Sequence, residues 1–133
     1  MIPTFESCLV CDLIREELYG KLAILGYFGI CPNVDVRVKA LEQPTVLTFL
    51  IAGGKGSGEF FGKVVVFDEG SQQPIASGVS TTFLTNPIGA TYIGTLLVLT
   101  FGHPGLFSVR LIVEQSELFR AFFLVSQGSS PST

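Results

Sequence analysis

The sequence predicts an all-β fold, an antiparallel sandwich of two sheets with about eight strands. Three observations carry that reading. Phe, Val, Ile, Thr, Leu and Tyr dominate the chain, and these side chains fit a pleated, half-buried surface. The apolar runs are short, roughly the length of a strand. Gly (15) and Pro (7) end those runs at close intervals, leaving no room for crossover helices. Parallel strands need such crossovers, so the pairing is expected to be antiparallel. Segment 91–101 is apolar on both sides. One inward face does not explain that, whereas two packed sheets do.

In chain order, strands are expected over 5–15, 20–30, 44–52, 59–68, 77–84, 91–101, 105–114 and 118–126. The first pair turns at Leu18-Tyr19-Gly20. Cys31-Pro32-Asn33 ends the second strand, and Pro disfavours continued pairing there. "VDVRVKALE" (34–42) alternates like a strand, yet its end is also compatible with a helical turn before Pro44. Later breaks fall at the glycine-rich 53–58, at Asp68-Glu69-Gly70-Ser71, at Asn86-Pro87 and at Gly102-His103-Pro104-Gly105. The tail 127–133, "QGSSPST", reads as disordered beyond a single domain spanning 1–126.

The last two strands allow a register argument. Phe107, Val109, Leu111 and Val113 alternate with Ser108, Arg110, Ile112 and Glu114. Phe119, Ala121, Phe123 and Val125 alternate with Leu118, Arg120, Phe122 and Leu124. A three-residue loop at Gln115-Ser116-Glu117 pairs Val113 with Phe119 and keeps both apolar sets on one face. The outer face then carries Ile112, Phe122 and Leu124 beside Arg110 and Arg120. Such an apolar patch with arginine at hand is a candidate protein interface.

Bulk properties narrow the function. Of 133 residues, 47% are hydrophobic and 14% charged, below the roughly 25% charged content of ordinary domains. So apolar a chain buries its surface in a core or against a partner. Net charge is −3, with a pI near 5.0 and mean hydropathy +0.55. The eight Lys and Arg residues are scattered, which disfavours nucleic acid, because phosphate neutralisation needs clustered cations. The uncharged run 70–102 is broken by Gly, Ser, Gln, Asn and Pro, so no membrane span is expected. The first residues lack the basic region of a signal peptide. A cytoplasmic location with free thiols at Cys8, Cys11 and Cys31 is the expectation.

No motif carries clear chemistry. Cys8-x-x-Cys11 lies in a strand pattern, where positions i and i+3 face opposite ways. A redox CxxC sits at a helix N-terminus, and a zinc site needs four ligands. No metal and no cofactor is expected. A disulfide from Cys8 or Cys11 to Cys31 is geometrically open but disfavoured in a reducing compartment. His103 is the sole histidine, in a turn, with no orienting partner indicated by the sequence. "GGKGSGEFFGKV" fails the phosphate-loop pattern, since three residues separate its glycines and Val64 follows Lys63. It reads as a hairpin loop. Asp12, Arg15, Glu16 and Lys21 are candidate binding residues at one end of the sandwich. Asp12 stands out as a carboxylate in an apolar run, which needs hydrogen-bond partners if buried.

"CDLIREELYGKLAILGYFG", with Asp12, Arg15, Glu16, Gly20, Lys21 and Gly26, resembles the N-terminal hairpin of a family of small bacterial proteins, a domain of unknown function. "GLFSVRLIVEQSELFRAFFLV" resembles that family's closing hairpin. The resemblance implies an immunoglobulin-like sandwich and transfers no catalytic residues. The expected function is therefore non-catalytic binding or assembly, as a homo-oligomer or with a protein partner, through Arg110, Ile112, Arg120, Phe122 and Leu124. The competing readings are a small-ligand-binding protein or enzyme using Asp12, Arg15 and Glu16, and a virus or phage structural component.

Overall fold

A computed structural model describes residues 1–128. Among them are ten strands and no α-helix: β1 (Phe5–Glu16), β2 (Leu22–Ile30), β3 (Asp35–Val38), β4 (Thr45–Gly53), β5 (Glu59–Asp68), β6 (Gln73–Ser77), β7 (Thr81–Leu84), β8 (Thr91–Leu99), β9 (Gly105–Val113) and β10 (Ser116–Gln127). A short 3-10 turn over Leu18–Gly20 closes the first hairpin, where the sequence places it. The strands form two packed sheets, in the orders β2-β1-β4-β8 and β3-β10-β9-β5-β6, with β7 also paired to β5. The fold is a β-sandwich.

Alternation builds the core. From the first sheet Cys8, Val10, Leu47, Phe49, Ile51 and Leu99 point inward, and from the second Val64, Val66, Phe107, Val109, Leu111 and Phe123. Phe101 meets Phe107 edge-on at 5.0 Å between centroids, and Phe49 lies 5.7 Å from Phe123. Each fully buried side chain of this size stabilises the fold by about 1.5–3 kcal/mol, and such aromatic pairs add directional preference.

Four expectations are corrected. The segment 77–84 is not one strand. β6 and β7 pair with opposite halves of β5, and the chain leaves the ladder between them. Segment 35–38 is a strand, and it pairs parallel to β10 at the sheet edge, so the pairing is not wholly antiparallel. The glycine-rich stretch joins β4 in one sheet to β5 in the other and is no hairpin loop. Its amides serve carbonyls: Gly54 donates to Thr4, Gly56 to Asn86 and Ser57 to Met1.

The fourth correction concerns the closing hairpin. It turns through the two residues Glu114 and Gln115, both with positive φ (50° and 72°), as a tight turn matched to strand twist requires. A bulge follows between Glu117 and Phe119, and then Phe119 faces Leu111 and Ala121 faces Val109. The bulge absorbs one residue and restores the parity that a two-residue turn alone would break. The predicted faces therefore survive, with every pair shifted by two positions. β10 runs through Gln127, one residue past the expected domain end. The remainder of the expected tail, 129–133, lies outside the described residues.

Candidate functional site

The four polar candidates of the first hairpin do not converge. Asp12 is exposed. It faces Gly26, where φ is +66° and a Cβ would fall 2.8 Å from the Asp12 Cβ. The glycine thus leaves the space that the aspartate covers. Arg15 pairs with Glu17, its Nη2 donating at 2.8 Å, and both are well exposed. Such a pair contributes little. Lys21 is exposed at the turn, and its carbonyl accepts from the Glu17 amide. Glu16 reaches a concave surface. It borders a cleft of about 320 Å³ between the hairpin and the β4/β8 surface, floored by Leu50, Gly94 and Leu96.

The five interface candidates do share the outer face of the six-stranded sheet, but one is not available on it. Arg110 is 7% exposed. Its guanidinium lies 3.8 Å above the Phe67 ring centroid, and it donates to Glu69 at 3.0 Å, to Gln72 at 3.2 Å and to Ser108 at 3.1 Å. Register places Arg120 directly opposite Arg110, and like charges at such positions repel. Glu117 answers both, at 3.5 Å from Arg110 and 2.9 Å from Arg120. Bonds from Ser108, Gln72 and Arg110 hold the Glu69 carboxyl down to about 2. Ile112 is half-buried, while Phe122 (38%) and Leu124 (51%) stay exposed. Polar demand thus consumes the centre of that predicted patch.

His103 does have an orienting partner, contrary to expectation. Its Nε2 donates to Asp68 Oδ2 at 2.5 Å, and its Nδ1 to the Pro104 carbonyl at 2.7 Å. Both acceptors lack protons, so the two bonds together require the doubly protonated ring. The Asp68 carboxylate raises the imidazole above its ordinary value, and the imidazole in turn lowers Asp68, helped by the Gly70 amide. With both nitrogens engaged, the ring is a pin between the β8–β9 turn and the end of β5 rather than a free base. The 35-residue separation carries no sequence signature. Among the described residues, no three His, Cys, Asp or Glu side chains gather to hold a metal.

The outer face of the four-stranded sheet is the feature that the sequence reading missed. Cross-strand register sets Leu9 between Ile30 and Leu50, and Cys11 between Tyr27 and Thr48. Ala52 faces Tyr92, Thr48 faces Leu96, and Val46 faces Val98. None of these residues is charged. Tyr92 (58%), Leu96 and Val98 (60%) are open to solvent, as are Tyr27, Ile30 and Val46. The signal was present in the sequence: 91–101 is apolar at odd and even positions alike. One set enters the core, and the other lies outside.

A scan against protein-family models finds no match, and neither does a search of curated proteins. Among solved structures, the chain is similar to a glycosyl hydrolase family 2 member from Bacteroides cellulosilyticus DSM 14838, at 8% identity with a TM-score of 0.51. The match covers 92% of this chain and 26% of that one, so this chain spans about a quarter of that protein's length. At this identity the likeness is one of sandwich fold. Among the described residues, no helix is long and apolar enough to cross a membrane.

Proposed function

We propose that the protein is a non-catalytic assembly module that self-associates through the outer face of its four-stranded sheet. The observation carrying this reading is the uncharged, solvent-open surface formed by Tyr27, Ile30, Val46, Tyr92, Leu96 and Val98. Contiguous apolar surface of this kind marks an association site. A second copy is the occupant we favour. A two-fold contact sets the same patch against itself, and the six residues that form it carry no charge to repel their own image. The outer face of the other sheet, by contrast, carries Lys63, Arg110, Glu117 and Arg120. The loose match of Asp12, Arg15, Glu16, Gly20, Lys21 and Gly26 to a family of unknown function adds no activity to this reading.

Light scattering at micromolar concentration tests the proposal. Wild-type protein is expected to run as a dimer or larger. Leu96→Lys with Val98→Glu is expected to return it to the monomer mass. Phe122→Glu with Leu124→Lys, on the opposite sheet, leaves the mass unchanged. A monomeric wild type overturns the proposal, and loss of association only in the Phe122/Leu124 variant moves the contact to the other sheet. A small ligand in the cleft beside Glu16 is the second reading. The cleft's size and mainly apolar floor favour it, and its readout is a soluble ligand that stabilises wild type but not Glu16→Leu.

A further inference from the structure

The Cys8-x-x-Cys11 motif dissolves in the fold, and a different cysteine pair takes its place. Cys8 points into the core beside Ile51, whereas Cys11 lies opposite Thr48 on the other face of the sheet. Cys31 continues the register that sets Leu9 against Ile30, and its amide donates to the Cys8 carbonyl at 2.9 Å. Cys8 and Cys31 are therefore direct cross-strand partners. Hydrogen-bonded partners on antiparallel strands stand about 5.5 Å apart at Cα, within the span that a disulfide bridges. Cys31 packs against the same core cluster that holds Cys8, and both thiols border one cleft of about 180 Å³ that opens beside Pro32 and Phe119.

The two thiols differ as an attacking and a resolving thiol should. The neighbouring Cys8 thiol, together with its own backbone amide, holds the half-buried Cys31 below its ordinary value. The adjacent Cys31 thiol, together with burial, pushes Cys8 well above its own. Burial, reinforced by the Asp12 charge, also raises Cys11, whose side chain lies on the opposite face of the sheet from Cys8.

We propose that Cys8 and Cys31 form a reversible dithiol–disulfide site that exchanges with low-molecular-weight disulfides. The Cys31 thiolate attacks one sulfur of the small disulfide, whose S–S bond breaks and releases one small thiol. Cys8 then attacks the Cys31 sulfur, forming the Cys8–Cys31 bond and expelling the second small thiol. Two electrons pass from the protein dithiol to the small disulfide, and the two thiol protons end on the two released thiols. Closing the bond ties the segment ahead of β3 to β1. This site is independent of the association face.

The test incubates reduced, folded protein in glutathione buffers from reducing to oxidising. The oxidation state is then quenched with acid, the protein unfolded, its free thiols alkylated and the peptides mapped by mass spectrometry. A Cys8–Cys31 cross-link is expected to appear as the buffer becomes oxidising and to disappear on return to reduced glutathione, while Cys11 stays alkylated throughout. Cys8→Ser is expected to trap glutathione on Cys31 as a persistent mixed disulfide, and Cys31→Ser to abolish both adducts. Three free thiols in the oxidising buffer overturn the proposal. So does a link that forms only under denaturant, or one that involves Cys11. The wild-type map decides the matter even where a Cys8 substitution fails to fold.

Discussion

Arg110 illustrates how one side chain sets the character of a surface. A strand position with a charged residue on the outer face reads as solvent-exposed, yet here Phe67 lies beneath the guanidinium and Glu69, Gln72 and Ser108 take its donors. Removing one partner of a buried pair leaves the other charge uncompensated. Arg110→Met is expected to lower unfolding free energy by about 3 kcal/mol or more, read as a fall in the urea midpoint at unchanged slope. Glu69 supplies the matching pH dependence. Its carboxyl is held down to about 2, below the unfolded value, so its contribution is complete above the ordinary carboxylate range and disappears as pH falls toward 2. In Arg110→Met that loss moves to higher pH.

At the scale of elements, turns and pins decide how strands meet. Glu114 and Gln115 both adopt positive φ, which strains side chains other than Asn, Asp and Gly. Glu114→Asn with Gln115→Gly is expected to stabilise the closing hairpin by about 1 kcal/mol, measurable as a higher thermal midpoint. The His103–Asp68 pair joins the β8–β9 turn to β5. The imidazole is raised in the folded state, so its contribution is fully present below the unfolded histidine value and is lost as pH rises through the raised folded value. An NMR titration is expected to place the His103 midpoint above that of a free histidine. In Asp68→Asn the midpoint returns toward the ordinary range, and the alkaline-side loss of stability disappears.

At the scale of the whole molecule, the two sheets present unlike outer faces. One bears an ion-pair network, and the other carries an open apolar patch with Glu16 at its hairpin end. Association through that patch is expected to persist as ionic strength rises, because screening acts on charges and leaves apolar burial intact. Sedimentation across a salt series checks this, and dissociation by salt would point instead to the Arg120 side. At concentrations where wild type is also monomeric, the surface variant Leu96→Lys with Val98→Glu should keep the wild-type thermal midpoint within a few degrees. Neither position belongs to the core, and exposed substitutions typically shift stability by about 0.5 kcal/mol or less.

Local patterning determined the fold class, the strand positions of β1, β2, β4 and β5 and the inward sets of β9 and β10. A period of two and a turn residue are properties of a few neighbours in the chain. Patterning also separated Cys8 from Cys11, since three steps along a strand reverse the face. The tertiary structure decided whatever depends on distant segments. It paired β3 parallel to β10, split 77–84 around β5 and used a bulge where a longer loop was expected. It set Asp68 against His103, sank Arg110 onto Phe67 and brought Cys31 beside Cys8. The sandwich has two sides, and the identity of the covered one emerges only when the sheets pack. That is why the even positions of β8, apolar in the sequence like their odd neighbours, lie on the outside.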